Sequence, residues 1–189
     1  MNNLHIDIVQ LQRNVAIDRN VSSYSQLFCY FHKPLLRFAE SIVKSKEAAE
    51  EIYSDVMLKI WDLGAALNNI NNLRGYLFIS VKNSALNYLA RYYKVRTVNI
   101  DSVQLELTGG ENPEESLIRS EFNRNLSLAV KTLPSKAQLV YKLIKEDGFS
   151  YRQVAEILGI SVNTIEGHMT NALKKINNSL RAYLRPGSN

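Results

Sequence analysis

Two rows of polar side chains recur at helical spacing in this sequence. Between Asn163 and Lys175, the side chains of Asn163, Thr164, Glu166, His168, Thr170, Asn171, Lys174 and Lys175 fall on one face at helical spacing. Hydroxyls and amides in such a row suit the edges of paired bases, and cations suit phosphate. A second set, Ser80, Asn83, Asn87, Arg91 and Lys94, recurs in steps of three and four, with Tyr76, Phe78, Tyr88, Tyr92 and Tyr93 nearby. Cations that follow phosphates, aromatic faces that stack and amides that read exposed base edges together suit a single strand. Catalytic patterns are missing: the sequence has no Gly-rich phosphate loop, no HExxH, no nucleophile elbow and no clustered Cys and His. His5, His32 and His168 lack metal-ligand spacing. The expectation is a binding protein with no catalytic residue, no metal and no cofactor.

The first set is positioned by Phe149 to Ile176, FSYRQVAEILGISVNTIEGHMTNALKKI, which predicts two helices around a tight turn. Ser150 with Gln153 three residues on is a capping box. Val154, Ala155 and Leu158 form an apolar stripe, and Gly159 suits the positive φ past a C-cap. Ile160 plugs the corner and Ser161 caps the second helix. In that helix Ile165, Met169, Ala172, Leu173 and Ile176 share the apolar face. Ala155, Gly159 and Ile165 have the spacing of a helix-turn-helix whose second helix can enter a major groove.

The second set follows an abrupt change of charge. Residues 47–62 predict a helix with a broad apolar face, Ala49, Ile52, Tyr53, Val56, Met57, Ile60 and Trp61. Opposite it lie Glu51, Asp55, Leu58 and Asp62, an acidic face with one leucine at its centre, which suits a basic helical partner. From Leu63 to Ile100 there is no Asp or Glu, while Arg74, Lys82, Arg91, Lys94 and Arg96 are present. Asn68, Asn69, Asn71 and Asn72 mark a loop, and two helices are expected over roughly 73–81 and 83–94, with Phe78 and Tyr93 in the core. Upstream, residues 4–14 predict a short amphipathic helix through Leu4, Ile8 and Leu11. A second helical segment runs from Asp18 through Tyr24, Leu27, Phe28, Phe31, Leu35 and Phe38, with a kink or restart at Pro34.

Acidic residues return in 101–121, with Thr108, Gly109, Gly110 and Pro113, as expected of a flexible linker. Asn112 and Pro113 supply a cap and first position for a helix through Leu117, Ile118, Phe122, Leu126, Ala129 and Val130, stopped at Leu133-Pro134. Ser135 and Gln138 predict another capping box, for a helix that ends at Gly148. The fold class is therefore all-α: two small helical domains, 18–97 and 114–184, joined by a linker over 98–113. Residues 1–17 form an N-terminal extension and 185–189 a frayed tail. The second domain is a four-helix, winged-helix-like helix-turn-helix unit.

A net charge of +5 suits nucleic acid, and 46% hydrophobic residues exclude disorder throughout. One cysteine, Cys29, cannot form an internal disulfide and reads as a buried small hydrophobe. Without a signal-peptide pattern or a long apolar run, the expected compartment is the cytoplasm.

In this order the parts resemble the small extracytoplasmic-function sigma factors of bacterial RNA polymerase. AAEEIYSDVMLKIW (48–61) resembles the segment that grips the polymerase clamp, and LRGYLFISVKNSALNYL (73–89) the region that melts the promoter and reads its −10 element. NPEESL, LPSKAQLVYKL and the helix-turn-helix resemble the domain that reads −35. The wording GISVNTIEGHMTNALKKI is most similar to members from Bacteroidetes. The resemblance implies core polymerase, bound at its clamp helices and flap, promoter DNA, and an anti-sigma factor in membrane-linked form as partners, with no small-molecule substrate. It implies clamp contacts for Glu51, Asp55, Leu58, Lys59 and Asp62. Asn83 matches the asparagine that captures a flipped −10 base, with Tyr76, Asn87, Arg91 and Lys94 beside it. Ser161, Asn163, Thr164, Glu166, Gly167, His168 and Asn171 face the −35 duplex, and Arg152 and Lys174 its phosphates. The chain departs from the pattern where Glu166 and His168 stand in place of basic residues.

ISVNTIEGHMTNALKKI also resembles LuxR-type output domains, so the alternative is a helix-turn-helix regulator that is not a polymerase subunit. Such a regulator carries an upstream receiver or ligand-binding domain of alternating strands and helices, whereas residues 1–100 read as helical throughout.

Overall fold

The structure, a computed structural model, describes residues 7–92 and 117–184, with the side chains of 117–120 and 182–184 excepted. The chain divides into two compact units, Met1–Val103 and Gln104–Asn189. Every described element is helical, as expected.

In the first unit α1 (Ile8–Asp18), α2 (Val21–Val43), α3 (Lys46–Asp62) and α4 (Leu73–Tyr92) are joined by tight corners and one 3₁₀ turn, Gly64–Asn69. Each helix start is sealed by a short polar side chain that accepts from an otherwise unpaired amide: Asp7 from Gln10, Asn20 from Ser23, Ser45 from Ala48. Asn72 does the same for α4, accepting from the amide of Gly75 at 3.0 Å. A Cβ on Gly75 would lie 2.7 Å from the Asn72 amide nitrogen, so glycine makes this close cap possible.

The unit is built around α2. Its Leu27, Phe31, Leu35 and Phe38 are buried, and both α3 and α4 pack against it. Pro34 produces no restart, because α2 runs unbroken through it. A proline inside a helix removes one hydrogen bond and costs about 3 kcal/mol, which the apolar burial along α2 offsets. Cys29 is exposed, contrary to expectation; it lies about 200° around the helix from both Leu27 and Phe31 and so points away from the core.

The 73–94 stretch is likewise one helix, not two. Val81, Ala85 and Leu89 are buried in sequence along α4 and carry it across the polar Lys82–Ser84 segment where a break was expected. Phe78 is fully buried as expected; Tyr93 lies outside the described residues. Of the four loop asparagines, Asn68 and Asn69 belong to the 3₁₀ turn.

The N-terminal helix begins at Ile8, and Leu4 lies outside the described residues. It is no separate extension: α1 packs on α2 and on the 3₁₀ turn. Gln12, 7% exposed, donates its side-chain amide to the carbonyls of Leu67 and Ile70, both at 2.8 Å. At the next corner Arg19, in the left-handed conformation at φ 49, lays its guanidinium 4.1 Å from the centre of the Trp61 ring and donates to the Trp61 carbonyl. This cation sits at the C-terminal end of α3, where the helix dipole favours it.

In the second unit α5 (Leu117–Lys131), α6 (Ser135–Lys145) and α7 (Tyr151–Leu158) all pack against α8 (Val162–Leu184). The expected Asn112–Pro113 start lies outside the described residues. Phe122 does not join the core but stands 54% exposed, whereas Ala129 and Val130 are buried. The Ser135–Gln138 capping box is absent: Ser135 is the first residue of α6, Pro134 precedes it without a side-chain cap, and Gln138 is buried. No buried polar side-chain atom lacks a partner among the described residues.

Because Gln12 satisfies two carbonyls across a sequence gap, Gln12→Ala should destabilise the first unit by about 1–3 kcal/mol. Urea unfolding of the full chain should show a lower midpoint with an unchanged slope.

Candidate nucleic-acid interface

The continuity of α4 turns two short rows of residues into one ridge. Tyr76, Ser80, Asn83, Asn87 and Arg91 follow one another in steps of three or four on a single helix, over about 22 Å of its axis. Asn83, Asn87 and Arg91 are exposed, Tyr76 is 39% exposed and Ser80 is half-buried. Tyr88 and Tyr92 lie on a separate stripe, their rings stacked with centroids 6.2 Å apart and planes 12° apart. Of the cations that marked this acid-free stretch, Lys94 and Arg96 lie outside the described residues. Lys82 is half-buried on the other side of the helix, where burial lowers its pKa. Arg91 therefore supplies the positive charge of the described ridge, and its chemistry is dominated by amides and an aromatic.

The α3 surface has the opposite character. Glu51, Asp55, Lys59 and Asp62 are exposed around Leu58, itself 57% exposed, while Ile52, Tyr53, Val56, Met57 and Ile60 are buried beneath. Trp61 is half-buried, held between Arg19 and the Tyr24 ring, which meets it edge-on at 5.1 Å. Burial raises the Tyr24 pKa, and nearby Asp62 raises it further. Tyr53 is pushed up more strongly, first by burial, while its hydroxyl donates to the Phe28 carbonyl. At the start of α3 the Glu47 carboxylate is held below its usual pKa by its own backbone amide and by Ser45. These anchors hold the α3 backbone, and Leu58 stands out from it among charges, an apolar centre with a charged rim.

The α7–α8 pair matches the expected local geometry closely. Ser150 accepts from the Gln153 amide at 3.3 Å and Gln153 accepts from the Ser150 amide at 2.9 Å, so the capping box is complete. Gly159 has φ 74 and donates to Ala155, the left-handed turn that sends the chain back across α7. Ile165, Met169, Ala172 and Ile176 are buried. Leu173 is not: it lies at the edge of this arc and is 46% exposed.

Of the residues expected to read a duplex, Arg152, Asn163, Glu166, Gly167, Asn171 and Lys174 are exposed and His168 is half-buried. Ser161 and Thr164 are exposed but already engaged. The Ser161 hydroxyl accepts from the Thr164 amide at 3.1 Å and lies 2.8 Å from the Thr164 hydroxyl. Ser161 thus seals the helix and orients Thr164, a role its N-cap position signals. What sequence reasoning missed is the support: Gln12, Arg19 and the Asn72 cap. Only Asn72 carries a local signal, an asparagine three residues before a glycine.

Two family models match this chain, sigma-70 region 2 over residues 27–94 and sigma-70, region 4 over residues 123–176. The first takes in both ridges and the second takes in α7 and most of α8. Among curated relatives, the chain is 23% identical to the ECF RNA polymerase sigma-E factor of Salmonella typhimurium, over 77% of this chain and 73% of that protein. It is also 23% identical to the RNA polymerase sigma-H factor of Pseudomonas aeruginosa, over 82% and 84%. Among solved structures it is similar to the sigma factor RpoE of Bartonella quintana, in complex there with the anti-sigma factor NepR. That likeness has a TM-score of 0.54 and 23% identity and covers 85% of this chain and 98% of that one. With both sigma-70 regions matched in order and relatives of the same kind along most of its length, the chain belongs to the extracytoplasmic-function sigma factors of bacterial RNA polymerase.

Proposed function

We infer that this alternative sigma factor divides its work among three surfaces, binding core polymerase through α3, the opened −10 strand through α4 and the −35 duplex through α8. The observation that carries this reading is the pairing, within one unit, of an acidic ridge around Leu58 and an acid-free ridge of Tyr76, Asn83, Asn87 and Arg91. A helix-turn-helix regulator acting alone has no use for either.

Each surface suits its task physically. Docking to a basic partner helix gains from the acidic rim in approach rate and orientation, and from burial of Leu58 in lifetime. Lys59 adds a charged stem at the edge of that patch. On α4 an asparagine side chain offers both donor and acceptor to an unstacked base, Tyr76 offers a ring face and Arg91 a phosphate contact, with Lys94 continuing the row in sequence. On α8 the amides of Asn163 and Asn171 suit adenine edges, while Arg152 and Lys174 are placed for phosphate. Glu166 on this surface suits a cytosine amine and weakens general electrostatic attraction, so specificity rests on few contacts. Sigma factors act as non-catalytic initiation factors, and no catalytic step is assigned to this chain. Its place is the cytoplasm, where the polymerase is, and its natural inhibitor an anti-sigma factor, as the RpoE–NepR complex supports.

Reconstituted transcription tests the whole reading: this chain with bacterial core polymerase on a genomic fragment library, 5′ ends mapped. The expected result is discrete start sites that share two short upstream motifs. Absence of core binding, alongside specific duplex binding by the chain alone, would return the regulator reading. Asn83→Ala should leave core affinity unchanged and lower the rate of strand opening about tenfold or more, equivalent to losing one well-placed base contact. A permanganate footprint of the opened strand reads this, and a loss of core binding instead would displace Asn83 from its role. Asp55→Ala combined with Leu58→Ala should weaken core binding by about tenfold to a hundredfold. The same double variant should leave affinity of the free chain for duplex DNA unchanged; an equal fall in both would contradict the division of labour.

A further inference from the structure

Gly167 is a glycine that the protein itself does not require. It lies inside α8, five residues past Val162, and is not among the positive-φ residues Gly64, Gly148 and Gly159. A Cβ built on it meets nothing within 4 Å. Neither backbone conformation nor packing within the chain therefore excludes a side chain there, although glycine is the least favourable residue after proline in a helix interior.

Its position gives the absence a meaning. Counting about 100° per residue, Gly167 lies opposite the buried seam of Ile165, Met169, Ala172 and Ile176. It sits on the side of α8 turned away from that seam. Asn163 and Thr164 lie one turn before it and Thr170 and Asn171 one turn after, all exposed. Glu166 and His168 step to either side. The centre of the polar surface is thus a notch, bare backbone ringed by side chains that can form hydrogen bonds.

We propose that Gly167 sets the depth at which α8 seats in the major groove: the missing side chain lets the helix backbone come against the base edges, so that the short arms of Asn163, Thr164 and Asn171 reach them. This rests on α8 being the duplex-reading helix. Asparagine and threonine are short, and a methyl group at the centre of the contact holds the whole row off the floor of the groove. Glycine is the residue that permits close approach of backbone to a ligand. Gly167 is then a specificity-determining position although it offers no side chain to a base.

The test uses the full chain bound to bacterial core polymerase. Duplexes enriched by the wild-type complex from a random-sequence pool serve as specific probes, and scrambled versions of them as non-specific ones. Gly167→Ala should raise the melting temperature of the free chain by a few degrees, since alanine favours the helix. It should at the same time lower affinity for the enriched duplex about tenfold, with Gly167→Val lowering it further and scrambled duplex affinity unchanged. A higher melting temperature with unchanged specific affinity overturns the proposal. If Asn163→Ala and Asn171→Ala also leave specific affinity unchanged, or if no duplex is enriched, α8 does not read the duplex and the proposal falls with that reading.

Discussion

Burial of α2 between α3 and α4 is the constraint on which the surfaces of the first unit depend. Leu27, Phe31, Leu35 and Phe38 present a broad apolar stripe along one side of the helix, and α3 and α4 both pack against α2. Each partner has its own apolar stripe turned inward: Ile52, Val56 and Ile60 on α3, and Phe78, Val81 and Ala85 on α4. Once these stripes are buried, the opposite faces have no choice of direction. Glu51, Asp55, Leu58 and Asp62 go out on one helix and Tyr76, Asn83, Asn87 and Arg91 on the other. A single core thus holds an acidic ridge and an acid-free ridge of amides, an aromatic and one guanidinium on the same frame. The requirement is strong enough to carry α2 through Pro34 and α4 through its polar middle.

The second unit uses a different device for the same end. Its recognition surface is aimed by a backbone turn, Gly159 at φ 74, and locked by the fully buried Ile165. Leucine or alanine at 159 would strain in the left-handed region by about 1–2 kcal/mol, so this corner depends on glycine as the α2 seam depends on volume. Two glycines of this unit therefore have unlike reasons. Gly159 serves the fold through its φ, whereas Gly167 has an ordinary helical backbone and open space around it. The contrast separates a glycine that the backbone requires from one that neither backbone nor packing requires.

Electrostatics divide along the same lines. The cations of the first unit do not all lie on the α4 ridge: Arg19 closes the end of α3 over Trp61, and Lys82 is half-buried. What remains on the described α4 ridge is one guanidinium and a row of neutral groups. A ridge of this composition is suited to hydrogen bonding and stacking more than to gathering phosphate charge. The modest net charge of +5 fits a protein that reaches DNA as part of a larger assembly.

The helix-turn-helix was legible in the sequence almost residue by residue, because each of its signals acts locally. Ser150 with Gln153, Gly159, and Ser161 with Thr164 all operate within four residues, so spacing alone specifies them. The alternation of acidic and acid-free stretches, and the inward and outward faces of α3, were legible for the same reason of helical period. Tertiary structure alone decided what depends on a neighbour. Leu173 and Phe122 fit an apolar stripe, yet they stay exposed because a stripe is buried only where another helix lies against it. Cys29 looked like core among aromatics, but it projects from the uncovered side of α2. Gln12 reaches carbonyls at Leu67 and Ile70, and Arg19 reaches Trp61, across separations where no periodicity operates. Helical period determines which residues share a face; only packing decides which face is covered, and so which residues are left to meet polymerase and DNA.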